Sequence, residues 1–213
     1  MKLIVFGATG NVGSRVVAEA SSRGHDVTAA VRNEAGLGKL PKDVTPVVAD
    51  VSDTAALAAA MAGQDLAISA VRAPAGREGD IVALTRSILD AASLIDLRVI
   101  VVGGAARLHL PGGNPHTVLS DPDFLPESIV PTARASMAQW ELCASDASAN
   151  WTYASPSAML LPGKRKGACR TGTDTLIVDE DGHSAISMED FAMAIVDEVQ
   201  SVKFPRAAFT VGY

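Results

Sequence analysis

The sequence predicts an α/β fold, a doubly wound parallel sheet with helices on both faces and a small C-terminal lobe on one side. Three observations carry that expectation. Short apolar runs alternate with amphipathic helical patterns through the first half of the chain. Arg98–Val102 has β-branched residues throughout its centre, as suits a strand covered on both faces. Finally, Gly7-Ala8-Thr9-Gly10-Asn11-Val12-Gly13 joins the first apolar run to the first helical pattern, with glycine at every third place.

Each element has its own signal. Lys2–Phe6 is a short apolar run suited to a buried parallel strand, and Val16, Val17 and Ala20 share one face of the helix that follows. Gly24 is the stop signal of that helix. Val27–Val31 and Val44–Val48 are the second and third strands. Asp53 or Thr54 caps a short helix over Ala55–Met61, and Gly63 ends it. Leu66–Val71 is the fourth strand, Ile81–Ile95 a long amphipathic helix, and Arg98–Val102 the fifth strand. Right-handed crossovers between successive parallel strands then place helices on both sides.

The second half is less regular. Leu108–Pro131 carries five prolines and reads as a long irregular segment, either a lid or a surface excursion. A helix over Thr132–Ala147, a strand over Trp151–Ser155, a loop over Leu160–Gly172, a strand over Thr175–Val178 and a turn over Asp179–Gly182 follow. Ser187-Met188-Glu189-Asp190 has the pattern of a capping box that opens a helix to Val199, and Phe209–Gly212 is the last strand. No repeat or linker interrupts the chain. Residues 1–213 therefore read as one domain, with about 155–200 contributing the lobe.

Composition narrows the function classes. A net charge of −6 disfavours a nucleic-acid surface, which needs a basic stripe. Apolar runs are too short to span a bilayer. The N-terminal apolar run doubles as a strand and lacks the flanks of a secretion signal, which predicts a cytoplasmic protein. Cys143 and Cys169 form neither a metal pattern nor a disulfide framework, and the four histidines are scattered. Lys164-Arg165-Lys166 is a solvated loop or a rim that attracts an anion.

The glycine loop carries the chemistry. A G-x-x-G-x-x-G spacing between strand and helix supplies the tight turn, the close backbone approach and the close helix packing that a dinucleotide pyrophosphate requires. The backbone N–H groups of Asn11–Ser14 then face the phosphates, aided by the helix dipole. The second strand ends in Ala30-Val31-Arg32-Asn33, with arginine where a carboxylate would hold the ribose 2′-OH of NAD. Arg32 therefore favours NADP(H) over NAD(H). Asp50-Val51 either brackets the adenine or caps the next helix. The small residues Ala70, Val71, Gly103 and Gly104 end the fourth and fifth strands, where a cofactor would cross the sheet edge.

These motifs, with Trp151-Thr152-Tyr153-Ala154-Ser155-Pro156-Ser157 and Ser187-Met188-Glu189-Asp190-Phe191-Ala192, resemble the atypical short-chain dehydrogenase/reductases. Within that group the chain is most similar to NAD(P)H-flavin reductases, relatives of biliverdin-IXβ reductase. The resemblance implies a Rossmann-like domain with a substrate-side lobe around Ser155–Gly172 and Ser187–Val199. Two departures stand out. The Thr132–Ala147 helix has neither the tyrosine nor the lysine of the Tyr-x-x-x-Lys pair, and Gly104 replaces the serine that biliverdin-type reductases carry after the fifth strand. No catalytic acid is evident.

The expected reaction is NADPH-dependent reduction of a flavin- or quinone-like acceptor, for which solvent can supply the proton. Flavin would then be a substrate and not a tightly held cofactor. Pro156 and Ser157 would border the nicotinamide. Leu108, Leu110, Trp140 and Met159 would line an acceptor pocket or pack in the core, and Lys164 would attract a flavin phosphate. The alternative is an NADP(H)-binding redox sensor of the NmrA type, without catalysis. The partner is a small molecule in either case, and the chain is a monomer or a homodimer.

Overall fold

A computed structural model describes residues 1–213. The strands are β1 (Lys2–Phe6), β2 (Asp26–Val31), β3 (Thr45–Val48), β4 (Leu66–Ser69), β5 (Arg98–Val102), β6 (Asn150–Ser155), β7 (Met159–Leu161), β8 (Arg170–Gly172), β9 (Ala185–Ser187) and β10 (Ala207–Gly212). The helices are α1 (Asn11–Ser22), α2 (Thr54–Met61), α3 (Asp80–Leu94), α4 (Val130–Ser145) and α5 (Met188–Ser201). Eight strands form one sheet in the order β3-β2-β1-β4-β5-β6-β10-β8, parallel except for β8, and β7 pairs with β9 in a separate parallel ribbon. No helix is long and apolar enough to cross a membrane.

Alternation along the strands explains why helices cover both faces. Leu3 and Val5 point into one apolar layer with Val16, Val17, Phe191 and Ile195 of α1 and α5. Ile4 and Phe6 point into the other, with Leu57, Met61, Ile88 and Leu89 of α2 and α3. A strand sequence buried on both sides must be apolar at successive positions, and Leu3–Phe6 are all buried.

Several expected boundaries move. The fourth strand ends at Ser69, so Ala70 and Val71 leave the sheet. Helix α4 starts two residues earlier than predicted, because Pro131 fits its first turn, where no N–H is needed. Thr175–Val178 is not a strand; Thr175 makes a single bridge to His109 and Leu176 turns into a small core. Conversely, β7 and β8 lie within or beside the expected loop, and β9 was unforeseen. Strands of three residues are too short for alternation to show.

The proline-rich segment is not a free lid at its start. Leu108, Leu110, Val118 and Leu176 bury one another, and the backbone of His109 exchanges hydrogen bonds with Asp174 and Leu176, each at 2.8 Å. The buried Arg107 clamps the same junction, donating to Ser155 Oγ at 3.1 Å and to Asp174 at 2.7 Å. Its guanidinium stacks 4.7 Å from the Trp140 ring centre.

The predicted capping box is half formed. Ser187 Oγ accepts from the Asp190 N–H at 3.0 Å, but the Ser187 N–H donates to the Tyr213 hydroxyl and not to Asp190. The fully buried Asp190 carboxylate instead gathers the Lys166 and Gly167 N–H groups, each at 2.9 Å, and the Tyr213 hydroxyl at 2.5 Å. Burial opposes its charge, yet hydrogen bonds from Tyr213, Gly167, Lys166 and Ser187 outweigh it and hold the carboxyl below its usual range. A carboxyl depressed on folding stabilises the protein above its unfolded pKa of about 4, and that stability is lost as pH falls through the folded value. Thermal melts between pH 7 and 2 should therefore show a steeper loss below about pH 4 in the wild type than in Asp190→Asn. Equal acid slopes would exclude Asp190 as a source of the loss.

Candidate functional site

The chain runs from β1 outward to β3, then crosses to β4 and runs the other way, so the strand order reverses between β1 and β4. In open α/β sheets a crevice opens at such a reversal, beyond the carboxyl ends of the strands. Here it is a cleft of about 510 Å³. Gly10, Asn11 and Val12 form one wall, and Ala70–Ala73 and Val102–Ala105 cross the sheet crest. Thr132, Ala135, Ser136 and Gln139 of α4 face them, and Pro156, Ser157, Ala158 and Leu160 close the lobe side.

The glycine loop has the form that the spacing predicts. Gly7 has φ +75°, and a Cβ there would lie 2.4 Å from the Ala70 carbonyl oxygen. A Cβ on Gly13 would lie 2.1 Å from the Gly7 carbonyl oxygen, so α1 starts against its own loop. Gly10 caps α1 without a side chain, leaving the Asn11, Val12 and Gly13 N–H groups with no protein acceptor. Ser14, expected among the free donors, instead donates to the Gly10 carbonyl at 2.9 Å as the first turn closes. Three unpaired donors at the positive end of a helix fit a pyrophosphate, so the residues present suit a dinucleotide. Arg15 braces this end, donating to Glu189 of α5 at 2.6 Å and to the Asn11 carbonyl at 2.7 Å.

Of the residues expected to bind the cofactor, Gly10, Asn11, Val12, Ala70, Val71, Gly103, Gly104, Pro156 and Ser157 meet in this cleft. Gly7 and Gly13 shape it from beneath, while the exposed Thr9 does not line it. Arg32, Asp50 and Val51 lie apart from it, past the ends of β2 and β3. Arg32 is exposed and makes no ion pair or hydrogen bond. Asp50 does not cap α2, which Asp53 does by accepting from the Ala55 and Ala56 N–H groups, each at 3.0 Å. Asp50 folds its own turn, accepting from the Ser52 N–H and hydroxyl, each at 2.9 Å. Those bonds, with a smaller contribution from the Arg32 charge, hold its carboxyl below the usual range.

The substrate-side expectations need correction. Leu108 and Leu110 are buried in the small core with Leu176, because the 108–118 segment folds on itself before reaching the cleft. Trp140 does not line the cleft; it packs edge-on against Trp151 and Tyr153, under Arg107. Met159 points to solvent, and its neighbour Leu160 faces the cleft, as alternation along β7 requires. Lys164 is exposed and outside the cleft. Its neighbours are engaged elsewhere. Arg165 forks onto Glu19 at 2.8 and 3.0 Å, and Lys166 Nζ sits 3.4 Å from the Tyr213 ring centre. Ser157 offers only its backbone, because its hydroxyl donates to the Val211 carbonyl at 2.9 Å.

Thr132, Ser136 and Gln139 were missed, although their spacing of four and then three residues puts them on one helix face. Polar residues at helical spacing opposite a glycine loop were the available signal. Arg72 and Glu78, also missed, are the only ionisable side chains that line the cleft. The Glu78 carboxylate accepts from the Gly76 N–H at 2.8 Å. Beneath the cleft lies Tyr153, whose hydroxyl is within 3.1 Å of the Ser136 carbonyl and 3.3 Å of Gln139 Oε1. Burial pushes its phenol up to about 12, so it stays protonated.

Comparison with known proteins agrees with this geometry. The family model described as NAD(P)H-binding matches residues 7–201. The uncharacterized protein YwnB of Bacillus subtilis is 32% identical over 219 aligned positions, covering 99% of this chain and 98% of that one. The crystal structure of a proposed exported protein from Burkholderia pseudomallei superposes with a TM-score of 0.89 at 39% identity, covering all of both chains. That of a proposed NADH-flavin reductase from Streptococcus pneumoniae superposes with a TM-score of 0.85 at 28% identity, covering 100% of this chain and 99% of that one. A glycine loop with three open donors, at the sheet's switch point, in a chain matched along almost its whole length, makes this protein a member of the NAD(P)H-binding family of the atypical short-chain dehydrogenase/reductase type.

Proposed function

We propose that this protein is an NADPH-dependent reductase that passes hydride to a flavin- or quinone-like acceptor. One observation carries the reading: the cleft beside the glycine loop holds no side chain able to hand over a proton near neutral pH. Arg72 offers only a guanidinium, a group that does not act as an acid in proteins, and the Gly76 N–H holds Glu78 below the usual carboxylate range. Tyr153 is buried and outside the cleft lining. Alcohol and ketone chemistry needs such an acid or base; an electron-poor ring does not. A reduced nicotinamide in the cleft supplies the hydride. The chain's part is to hold the phosphates on Asn11, Val12 and Gly13, to present the crest residues Val102–Ala105, and to exclude water with Ala135 and Leu160. The name of the Streptococcus pneumoniae relative agrees with this class of acceptor. A cytoplasmic setting fits the two free cysteines, one of them, Cys143, buried.

The test is NADPH oxidation with FMN, FAD and simple quinones. Turnover above the free-solution rate is expected with at least one. NADP(H) binding with no turnover for any would leave a redox-sensing module as the reading.

Arg32 is the proposed partner of the 2′-phosphate, exposed and held by no ion pair or hydrogen bond. Arg32→Ala should weaken NADPH binding by roughly 10- to 100-fold and NADH binding by less than about threefold, measured by titration calorimetry. Equal losses for the two cofactors would refute the assignment.

A further inference from the structure

Ser136 is the α4 hydroxyl that meets the crest of the sheet at Gly104. It is half-buried and lines the cleft. Its Oγ lies 3.4 Å from the Tyr153 hydroxyl, at the outer limit of a hydrogen bond, and no stronger protein partner engages it. Tyr153 and Gln139, the polar side chains beneath it, are already engaged. Tyr153 has a single proton, for which the Ser136 carbonyl and Gln139 Oε1 compete, and it accepts from the Gly104 N–H at 3.4 Å. The Gln139 amide donates to Thr85 Oγ1 at 3.0 Å. The phenol and the amide therefore fix the ground on which the serine stands.

Gly104 completes the arrangement. A Cβ at residue 104 would lie 2.5 Å from Ser136 Oγ and 3.2 Å from Ser136 Cβ. Because residue 104 has no side chain, the strand exit leaves the serine hydroxyl uncovered at the crest. Glycine at this place subtracts a polar group from the strand, and the helix opposite delivers a hydroxyl into the same space.

We infer that Ser136 donates the hydrogen bond to the acceptor oxygen on which charge builds during reduction, so that a neutral hydroxyl does the stabilising where no acid is present. This rests on the reductase reading. Hydride leaves as the C4–H bond of the reduced nicotinamide breaks, and a bond to hydrogen forms on the acceptor ring. The nicotinamide is left oxidised, and the electron pair moves onto the acceptor's conjugated carbonyl oxygen. Ser136 donates to that oxygen, and water supplies the proton that neutralises it. An aligned donor matters most where charge develops in a site partly closed to water.

The experiment compares wild type, Ser136→Ala, Ser136→Gly and the double variant Gly104→Ser/Ser136→Gly. The double variant returns a hydroxyl to the same space from the strand, and removing the serine side chain relieves the 2.5 Å collision. Turnover of NADPH with lumiflavin and with menadione is measured, together with lumiflavin binding to the NADP⁺ complex by fluorescence. Ser136→Ala should lower kcat roughly 10- to 100-fold and weaken lumiflavin binding only several-fold, with NADPH affinity changed less than about threefold. The double variant should recover about tenfold over Ser136→Gly, a rescue that a packing role would not produce. A turning-over wild type matched by Ser136→Ala, or a double variant no better than Ser136→Gly, overturns the inference and leaves the reductase reading intact. If the wild type does not turn over, the reductase reading fails and binding decides. A several-fold loss of lumiflavin affinity in Ser136→Ala, restored in the double variant, sustains the hydroxyl–oxygen contact. Equal binding by all four proteins, or none by the wild type, overturns it.

Discussion

Gly13→Ala should weaken NADPH binding by about 100-fold or more while circular dichroism stays close to that of the wild type. Its new methyl would lie 2.1 Å from the Gly7 carbonyl oxygen and 2.8 Å from the Gly7 carbonyl carbon, both backbone atoms. Flexible side chains could yield to such a contact, but a loop pinned to Ala70 by Gly7 has little room. Either α1 or the loop must shift, and the shift disperses the three open N–H groups at the start of α1. Gly10→Ala provides the graded comparison, since its Cβ would lie 3.1 Å from the same oxygen and needs only a small adjustment. The expected order of affinities is wild type, then Gly10→Ala, then Gly13→Ala. Wild-type affinity in Gly13→Ala would mean that the loop does not set the phosphate site.

The largest loss of stability should come from the opposite end of the sheet. Arg98 opens β5 and pairs with Glu198 of α5, their side chains 9% and 3% exposed. Arg98 also donates to Thr152 Oγ1 at 2.8 Å, and Glu198 accepts from the Lys203 and Phe204 N–H groups, each at 3.0 Å. Glu198→Ala leaves a guanidinium buried without its counter-charge and orphans both N–H groups. That should cost about 3–5 kcal/mol, a fall in Tm of roughly 6–20 °C for a chain of this size. Arg98→Met/Glu198→Gln removes both charges and keeps an acceptor for the N–H groups, so its Tm should lie well above that of Glu198→Ala. Below either Tm, NADPH affinity should match the wild type, because the pair sits at the start of β5 and the cleft beyond its end. A Glu198→Ala variant as stable as the double variant would show that the buried charge is not what costs.

Legibility followed the range of the interactions involved. Lys2–Phe6 and Arg98–Val102 were readable to the residue, because a strand buried on both faces shows as an unbroken apolar run. The glycine loop was readable because its tightest constraint is local: Gly13 meets the Gly7 carbonyl six positions back, while the Ala70 contact of Gly7 comes from the exit of β4. For Leu108, Leu110 and Trp140 the sequence left pocket and core open, and the core won, because apolar character says that a side chain is buried, not which of several cores takes it. Lys164–Lys166 is an exposed loop, one of its two readings, but its contacts were out of reach for a related reason. The partners of that run, Glu19, Asp190 and Tyr213, come from distant parts of the chain that only folding brings near.

By itself, then, the sequence determined a parallel α/β sheet with a glycine loop at its first turn. Both depend on local pattern: apolar alternation, helix stops and glycine spacing. It also showed which chemistry is missing, since a Tyr-x-x-x-Lys pair is a matter of residue identity. Only the tertiary structure set a helix hydroxyl opposite the bare strand exit. Ser136 and Gly104 are 32 positions apart, and no periodicity links a strand exit to a helix face across the cleft. Their meeting is fixed by how α4 packs on β6 over Tyr153, a long-range consequence of burying one aromatic ring.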